Sequence, residues 1–170
     1  KPANIMAGPN GQAVLIDFGI ARRFDAHAPP SDGPADPSQP LRPSFGGTPG
    51  YMAPEQILGH SDEQDGRTDV FGLGAILFEA IGGGRLVQGD SSPGLFRATL
   101  AGNYGCLAER IDQTALAAAL LPVVEKAIAR RPSERWPDAR SMREAIVDGL
   151  HSLDAAPPPF ERAPERAAVA

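Results

Sequence analysis

One cysteine, Cys106, serves the whole sequence, so no disulfide can close within it. This fits a reducing compartment, and a solitary cysteine is more often inert packing than a nucleophile. Histidine is nearly as scarce. His27, His60 and His151 lie far apart without ligand spacing, which argues against a zinc site. Long apolar runs are missing. The uncharged run VFGLGAILF from Val70 to Phe78 has nine residues, about half of the ~18 that cross a bilayer. No signal-peptide pattern is visible in the first residues given. Positive charge is not in excess either: 16 Lys and Arg against 21 Asp and Glu give a net charge of -5. With no basic stripe and an isoelectric point near 5.2, nucleic acid is not the expected partner.

What is present suffices for a folded unit. At 170 residues, 42% hydrophobic and 22% charged, the chain can bury the core of one ordinary domain. Glycine and proline are over-represented, and proline is concentrated. Six prolines fall in the fifteen residues from Pro29 to Pro43, PPSDGPADPSQPLRP. Such a stretch cannot hold a helix or a central strand and is expected to be a mobile loop. Pro157 to Pro159 and Pro164, in an Ala/Arg/Glu setting, mark residues 151–170 as a linker or disordered tail.

Ile5-Met6, the turn AGPNG and the run Ala13 to Ile16 predict a β-hairpin, with Asn10-Gly11 as the turn signal because both can take positive φ. Arg67 to Ile81 is apolar nearly all round and predicts a helix buried on every side, ended by Gly82-Gly83-Gly84. Ser92-Pro93 opens a helix to about Ala101. A further helix starts at Leu116, broken or kinked at Pro122, with Leu120, Val124 and Ile128 on one face. Pro137 to Leu150 completes the set, with Met142, Ile146 and Leu150 aligned. The fold class is mainly α: a small β-hairpin followed by a helical bundle.

Asp17-Phe18-Gly19 follows the second strand directly. A tripeptide of this kind is by itself usually only a turn. A hairpin, however, brings its outer ends together, so Asn4 and Asp17 converge, a carbonyl oxygen beside a carboxylate. Hard oxygen ligands suit Mg²⁺, which takes one or two protein ligands and fills the rest with water and phosphate.

With GGTPGYMAPEQ, Gly46 to Gln56, the sequence resembles the protein kinase family, specifically the eukaryotic-like Ser/Thr kinases of bacteria. KPANIM resembles the second half of the catalytic loop, DFGIAR the metal-binding segment, and YMAPEQ the end of an activation segment spanning 17–55. RTDVFGLGAILFEAIGGGR resembles the central helix of the large lobe, and ARRPSERW the turn bearing the family's late arginine. Lys1 opening KPAN, with Gly-Thr-Pro before YMAPE, resembles the Ser/Thr branch. The resemblance implies a large lobe over 1–150, ATP and Mg²⁺ as cofactors, and protein substrates. It implies that Lys1 contacts the γ-phosphate, that Asn4 and Asp17 hold Mg²⁺, and that Thr48 helps to seat the substrate hydroxyl. Phe18 would pack beneath the small lobe's control helix, with Gly19 letting the backbone turn. Glu55 and Arg135 would form a buried ion pair, and Asp69 would bond the catalytic-loop backbone. The plainer alternatives are an exposed salt bridge for Glu55 and an N-terminal helix carboxylate for Asp69.

The resemblance also places the family's catalytic aspartate two residues before Lys1, with the Gly-rich loop and the small lobe farther upstream. The expectation is a fragment that begins inside the catalytic loop, lacks the small lobe needed for normal ATP binding, and is inactive alone. A non-catalytic, kinase-like binding module is the alternative. Ser31, Ser38 and Ser44 are the hydroxyls available between Gly19 and Gly47, either as phosphosites pairing with Arg22 or Arg23 or as plain solvated loop residues. Cytoplasmic placement is expected for this piece, while a parent continuing into a membrane helix, as many relatives do, would be anchored.

Overall fold

Pro2 at the first position of a tight 3-10 turn, Pro2–Asn4, starts the chain. The structure, a computed structural model, describes residues 1–17 and 47–154. Phe18, Gly19, Ser31, Ser38, Ser44, the proline-rich stretch and the segment after Asp154 lie outside the described residues. The 3-10 turn leads into β1 (Ile5–Ala7), which pairs antiparallel with β2 (Ala13–Leu15) in the register Ile5 to Leu15, Met6 to Val14 and Ala7 to Ala13. The connection is a type I-like turn with Pro9 and Asn10 at its centre. The Gly11 N–H donates to the Gly8 carbonyl at 3.1 Å, and the Gly8 N–H to Gln12 at 2.7 Å. Only Gly11 takes positive φ, at 72°; Asn10 does not, because the longer loop places the left-handed residue after the turn rather than at its centre.

Among the described residues six α-helices follow: α1 (Pro54–Leu58), α2 (Gly66–Phe78), α3 (Ser92–Ala101), α4 (Leu107–Arg110), α5 (Ala115–Ala127) and α6 (Ala139–Asp154). Side-chain oxygens cap the N-termini of the longer helices. Asp65 accepts from the Arg67 N–H at 2.8 Å, Ser91 from Gly94 at 3.3 Å, Thr114 from Ala117 at 3.1 Å and Asp138 from Ser141 at 2.7 Å. The mainly helical fold with one small two-stranded sheet is the architecture expected from the sequence.

α2 is the centre of the body. Phe71, Ala75 and Phe78 pack with Leu120, Val124 and Ile128 of the α5 region, while Val70 packs with Val123, Ala127 and Met142. The crossing of α2 and α5 is close at Gly74, where a Cβ would lie 2.7 Å from that of Ala127. α2 is not buried on every side: Gly72, Leu73, Ile76 and Leu77 are half-buried and Asp69 is exposed. Its helical course breaks at Ile81 and Gly82 (φ 88°), within Glu79–Gly83, and Gly84 (φ 63°) then redirects the chain. Pro122 does not break α5, which runs from Ala115 to Ala127; Pro122 and Ala118 both lie on its exposed side. α6 runs past residue 150 to Asp154, with Met142 buried, Ile146 half-buried and Leu150 exposed.

Candidate functional site

The 3-10 turn places Lys1 one turn from Asn4, whose N–H donates to the Lys1 carbonyl at 2.9 Å. The Asn4 carbonyl accepts the Ile16 N–H at 2.9 Å, so the hairpin closes with Asn4 beside the end of β2 and Asp17 next along. Asp17 is the one described non-glycine residue at positive φ, 67°. That conformation costs an L-residue free energy and concentrates at sites that need a particular side-chain direction. Lys1 and Asp17 are exposed and Asn4 is half-buried. Among the described residues no three His, Cys, Asp or Glu gather as a metal cluster. An amide oxygen and a carboxylate at one hairpin end fit an ion that keeps most of its shell as water and phosphate.

Thr48 lies in a turn leading to α1, where its carbonyl accepts the Tyr51 N–H at 3.1 Å. Met52 and Ala53, 3% and 0% exposed, sink the next residues into the body. Tyr51 extends to α2's end and donates its hydroxyl to Glu79 Oε2 at 2.6 Å. Burial and that hydrogen bond push the hydroxyl's pKa up to about 12.

Glu55 and Arg135 form a bidentate ion pair, Nη1 to Oε1 at 2.7 Å and Nη2 to Oε2 at 2.9 Å, with both side chains at most 1% exposed. Thr68 adds a donor to Oε1 at 2.8 Å. The guanidinium's other protons go to the carbonyls of Ala129, Arg67 and Arg130, and its plane lies over the Phe71 ring. Burial raises the Glu55 carboxyl, but the bonds from Arg135, the backbone and Thr68 outweigh it and hold it below the ordinary value. Asp69 stands in the first turn of α2 with no side-chain hydrogen bond among the described residues, and desolvation pushes its carboxyl up.

The structure thus gathers Lys1, Asn4 and Asp17 at one hairpin end, and Glu55 with Arg135 inside the helical body. Thr68, Tyr51 and Glu79 escaped sequence reading. Glu79 is separated from Tyr51 by 28 residues, and only the packing of α2 brings them together. A cleft of about 490 Å³ between the Gly102–Ala108 segment and the end of α5 includes Cys106 and Arg130 but none of these residues.

The Protein kinase domain model matches residues 1–146. Serine/threonine-protein kinase PknB of Mycobacterium tuberculosis (strain ATCC 25618 / H37Rv) is 33% identical over 149 residues, 86% of this chain and 22% of PknB. Serine/threonine-protein kinase PknA of the same strain is 38% identical over 92 residues, 54% of this chain and 19% of PknA. PknB of Mycobacterium bovis (strain ATCC BAA-935 / AF2122/97) is likewise 33% identical. The chain therefore spans about a fifth of the length of these curated relatives.

Proposed function

The chain belongs to the protein kinase family, and from that premise we propose that it is large-lobe machinery of a serine/threonine kinase, which moves the ATP γ-phosphate to protein hydroxyls. The observation that carries this is the closure of the hairpin by the Ile16–Asn4 hydrogen bond, with Lys1 one turn away and Asp17 in a left-handed conformation. Phosphoryl transfer needs little covalent chemistry from the protein; positioning and charge stabilisation supply nearly all of the acceleration. Asn4 and Asp17 would hold Mg²⁺, which supplies charge neutralisation on the phosphates when bound. Lys1 brings a cation to the transferring group, and the Thr48 turn faces the incoming hydroxyl. Glu55, Thr68 and Arg135 take no part in chemistry and fix the turn's anchor against α2.

The 170 residues alone are proposed to be inactive, with the base and the phosphate cradle supplied upstream of Lys1. The test therefore uses the longest natural chain that carries this segment. Asp17→Asn keeps shape and removes the charge. Mg-ATP-dependent phosphorylation should fall by orders of magnitude, since each tenfold loss needs only about 1.4 kcal/mol of transition-state stabilisation. Thermal stability without nucleotide should hardly move, while the stabilisation by Mg-ATP shrinks. Unchanged activity with an intact Mg-ATP shift would overturn the metal assignment and favour a non-catalytic binding module.

A further inference from the structure

Between Gln88 and Arg110 the chain forms a flap in which Thr99 is the one buried residue. Leu95, Ala98, Tyr104 and Leu107 reach the core but are only half-buried. The hydroxyls of Thr99 and Tyr104 bond within the flap, to the carbonyls of Leu95 and Thr99. Both ends are anchored. Leu86 and Val87, 2% and 1% exposed, sink into the core before it. Behind it Ile111 is buried, and the Asp112 N–H donates to the Ile81 carbonyl at 3.1 Å. Under the second half of the flap lies the cleft of about 490 Å³ beside the end of α5. Its lining includes Ala129 and Arg130, whose carbonyls accept from Arg135, so it reaches the backbone that holds the buried ion pair. Arg110 crosses from the flap to its base, and all four of its Nη protons find a carbonyl. Nη1 donates to Leu86 at 3.0 Å and Tyr104 at 2.6 Å, and Nη2 to Gly83 at 3.3 Å and Arg85 at 2.5 Å. The guanidinium also stands over the Phe78 ring, 4.8 Å from its centroid.

We infer that Arg110 is a clasp: it fastens the flap of α3 and α4 to the segment leaving α2, and the flap opens as one unit about its two anchors when the guanidinium lets go. Three of the four carbonyls belong to the anchored stretch Gly83 to Leu86, and the fourth to Tyr104, just after α3. A stretch with one buried residue has little apolar burial to hold it down, so its polar ties decide how readily it opens. Those ties are of the strong kind, because the donor is charged. They also require arginine, since a planar fork fills four acceptors and an ammonium has three donors on one atom. Opening widens the cleft on the side of Gly102 to Ala108 and leaves the α5 side in place. The clasp does not depend on the kinase reading.

Cys106 makes the test direct, because the sole cysteine lies exposed on the flap and takes a nitroxide label without a further substitution. Arg110→Met should move the flap about a hundredfold toward the open form, the worth of about two hydrogen bonds to a charged group. A mobile component should then appear in the spin-label spectrum while the helical far-UV circular dichroism is kept. Millimolar methylguanidinium should remove that component by reoccupying the four carbonyls, and Arg110→Lys should not restore the wild-type spectrum. An unchanged spectrum in Arg110→Met overturns the clasp, and a mobile component indifferent to methylguanidinium overturns the carbonyls as its seat. Loss of helical dichroism together with a mobile label overturns the separate unit, because Arg110 would then hold the whole body. Amide exchange on the unaltered 170-residue chain needs no variant. There α3 amides should open at least about tenfold more readily than those of α5, and equal protection of the two helices overturns the flap.

Discussion

Arg135→Met offers the sharpest quantitative test of how the helical body is held. Methionine is apolar and close in length, so it refills much of the volume without bringing a cation. The guanidinium it removes satisfies both Glu55 oxygens and the carbonyls of Ala129, Arg67 and Arg130. Glu55 is left 2% exposed with Thr68 as its side-chain donor. Stranding one partner of a buried pair costs about 3–5 kcal/mol. Against a total stability of about 5–15 kcal/mol, that is a large fraction. At about 2–4 °C per kcal/mol for a chain of this size, Tm should fall by about 6–20 °C. Urea unfolding followed by far-UV circular dichroism reads the loss directly, and a change below about 0.5 kcal/mol would refute the reasoning.

The pH dependence gives the same variant a second, signed readout. In the wild type the Glu55 carboxyl is held low, so its contribution is complete above the ordinary glutamate value of about 4.3 and is lost as pH falls through the depressed value. In Arg135→Met the balance reverses, because burial remains while the guanidinium is gone. The carboxyl then titrates above its ordinary value, so the variant keeps its stability below about 4.3 and loses it as pH rises through the raised value. The gap between the two proteins should narrow on acidification from neutral pH toward pH 4. A gap that stays constant or widens would show that Glu55 is not the stranded charge. Replacing both partners together, Glu55→Leu with Arg135→Met, should recover part of the loss, since no buried charge is left unpaired, although Thr68 and the carbonyls of Ala129, Arg67 and Arg130 lose a partner.

Two further outcomes follow from packing. Gly74→Ala should destabilise by about 1–2 kcal/mol, because overpacking against Ala127 and Ile128 exceeds the gain in helix propensity. Gly72→Ala, whose nearest neighbour is the Tyr51 carbonyl at 3.6 Å, should be neutral or stabilising by up to about 1 kcal/mol, and a reversed order in thermal melts would contradict the crossing geometry. The hairpin exposes Met6 at 56%, Val14 at 49%, Leu15 at 56% and Ile16 at 39%, so the 170-residue chain should bind a hydrophobic dye or associate. Leu15→Lys should lower the dye signal without shifting Tm, and a monodisperse wild type that binds no dye would be evidence against an active patch there.

Much of the helical body was legible because its signals are local. Ser92-Pro93 opens α3 and it ends at Ala101 as expected, and the stripe Leu120, Val124, Ile128 turned inward as its spacing requires. α1 and α4 were not read, since five and four residues carry too little periodicity to distinguish a helix from a turn. Asp65, Ser91, Thr114 and Asp138 were readable as caps and mark the starts of α2, α3, α5 and α6 better than the apolar pattern did. The partnership of Glu55 and Arg135 came only from motif order, because 80 residues separate them. Thr68 and the Tyr51–Glu79 bond had no sequence signal at all, being products of where α2 ends up relative to the turn before α1.

The two halves of the site are held by different physics. Glu55, Thr68 and Arg135 sit in a dry interior where every polar atom is partnered, so their geometry is over-determined by helix packing. Asn4 and Asp17 sit instead on a ribbon of two three-residue strands, and an isolated hairpin is marginal in water without a third strand or a packed face. Asp17 adds a left-handed backbone to that thin support. A strained residue persists only where its surroundings hold it, and the Ile16–Asn4 bond alone is worth about 1 kcal/mol. The body that anchors the Thr48 turn is thus able to keep its form whatever happens at the hairpin, whereas the residues that would hold Mg²⁺ depend on whatever packs against Met6, Val14, Leu15 and Ile16. The proposed metal assignment thus leans on what covers the hairpin, and stability on the α2–α5–α6 core.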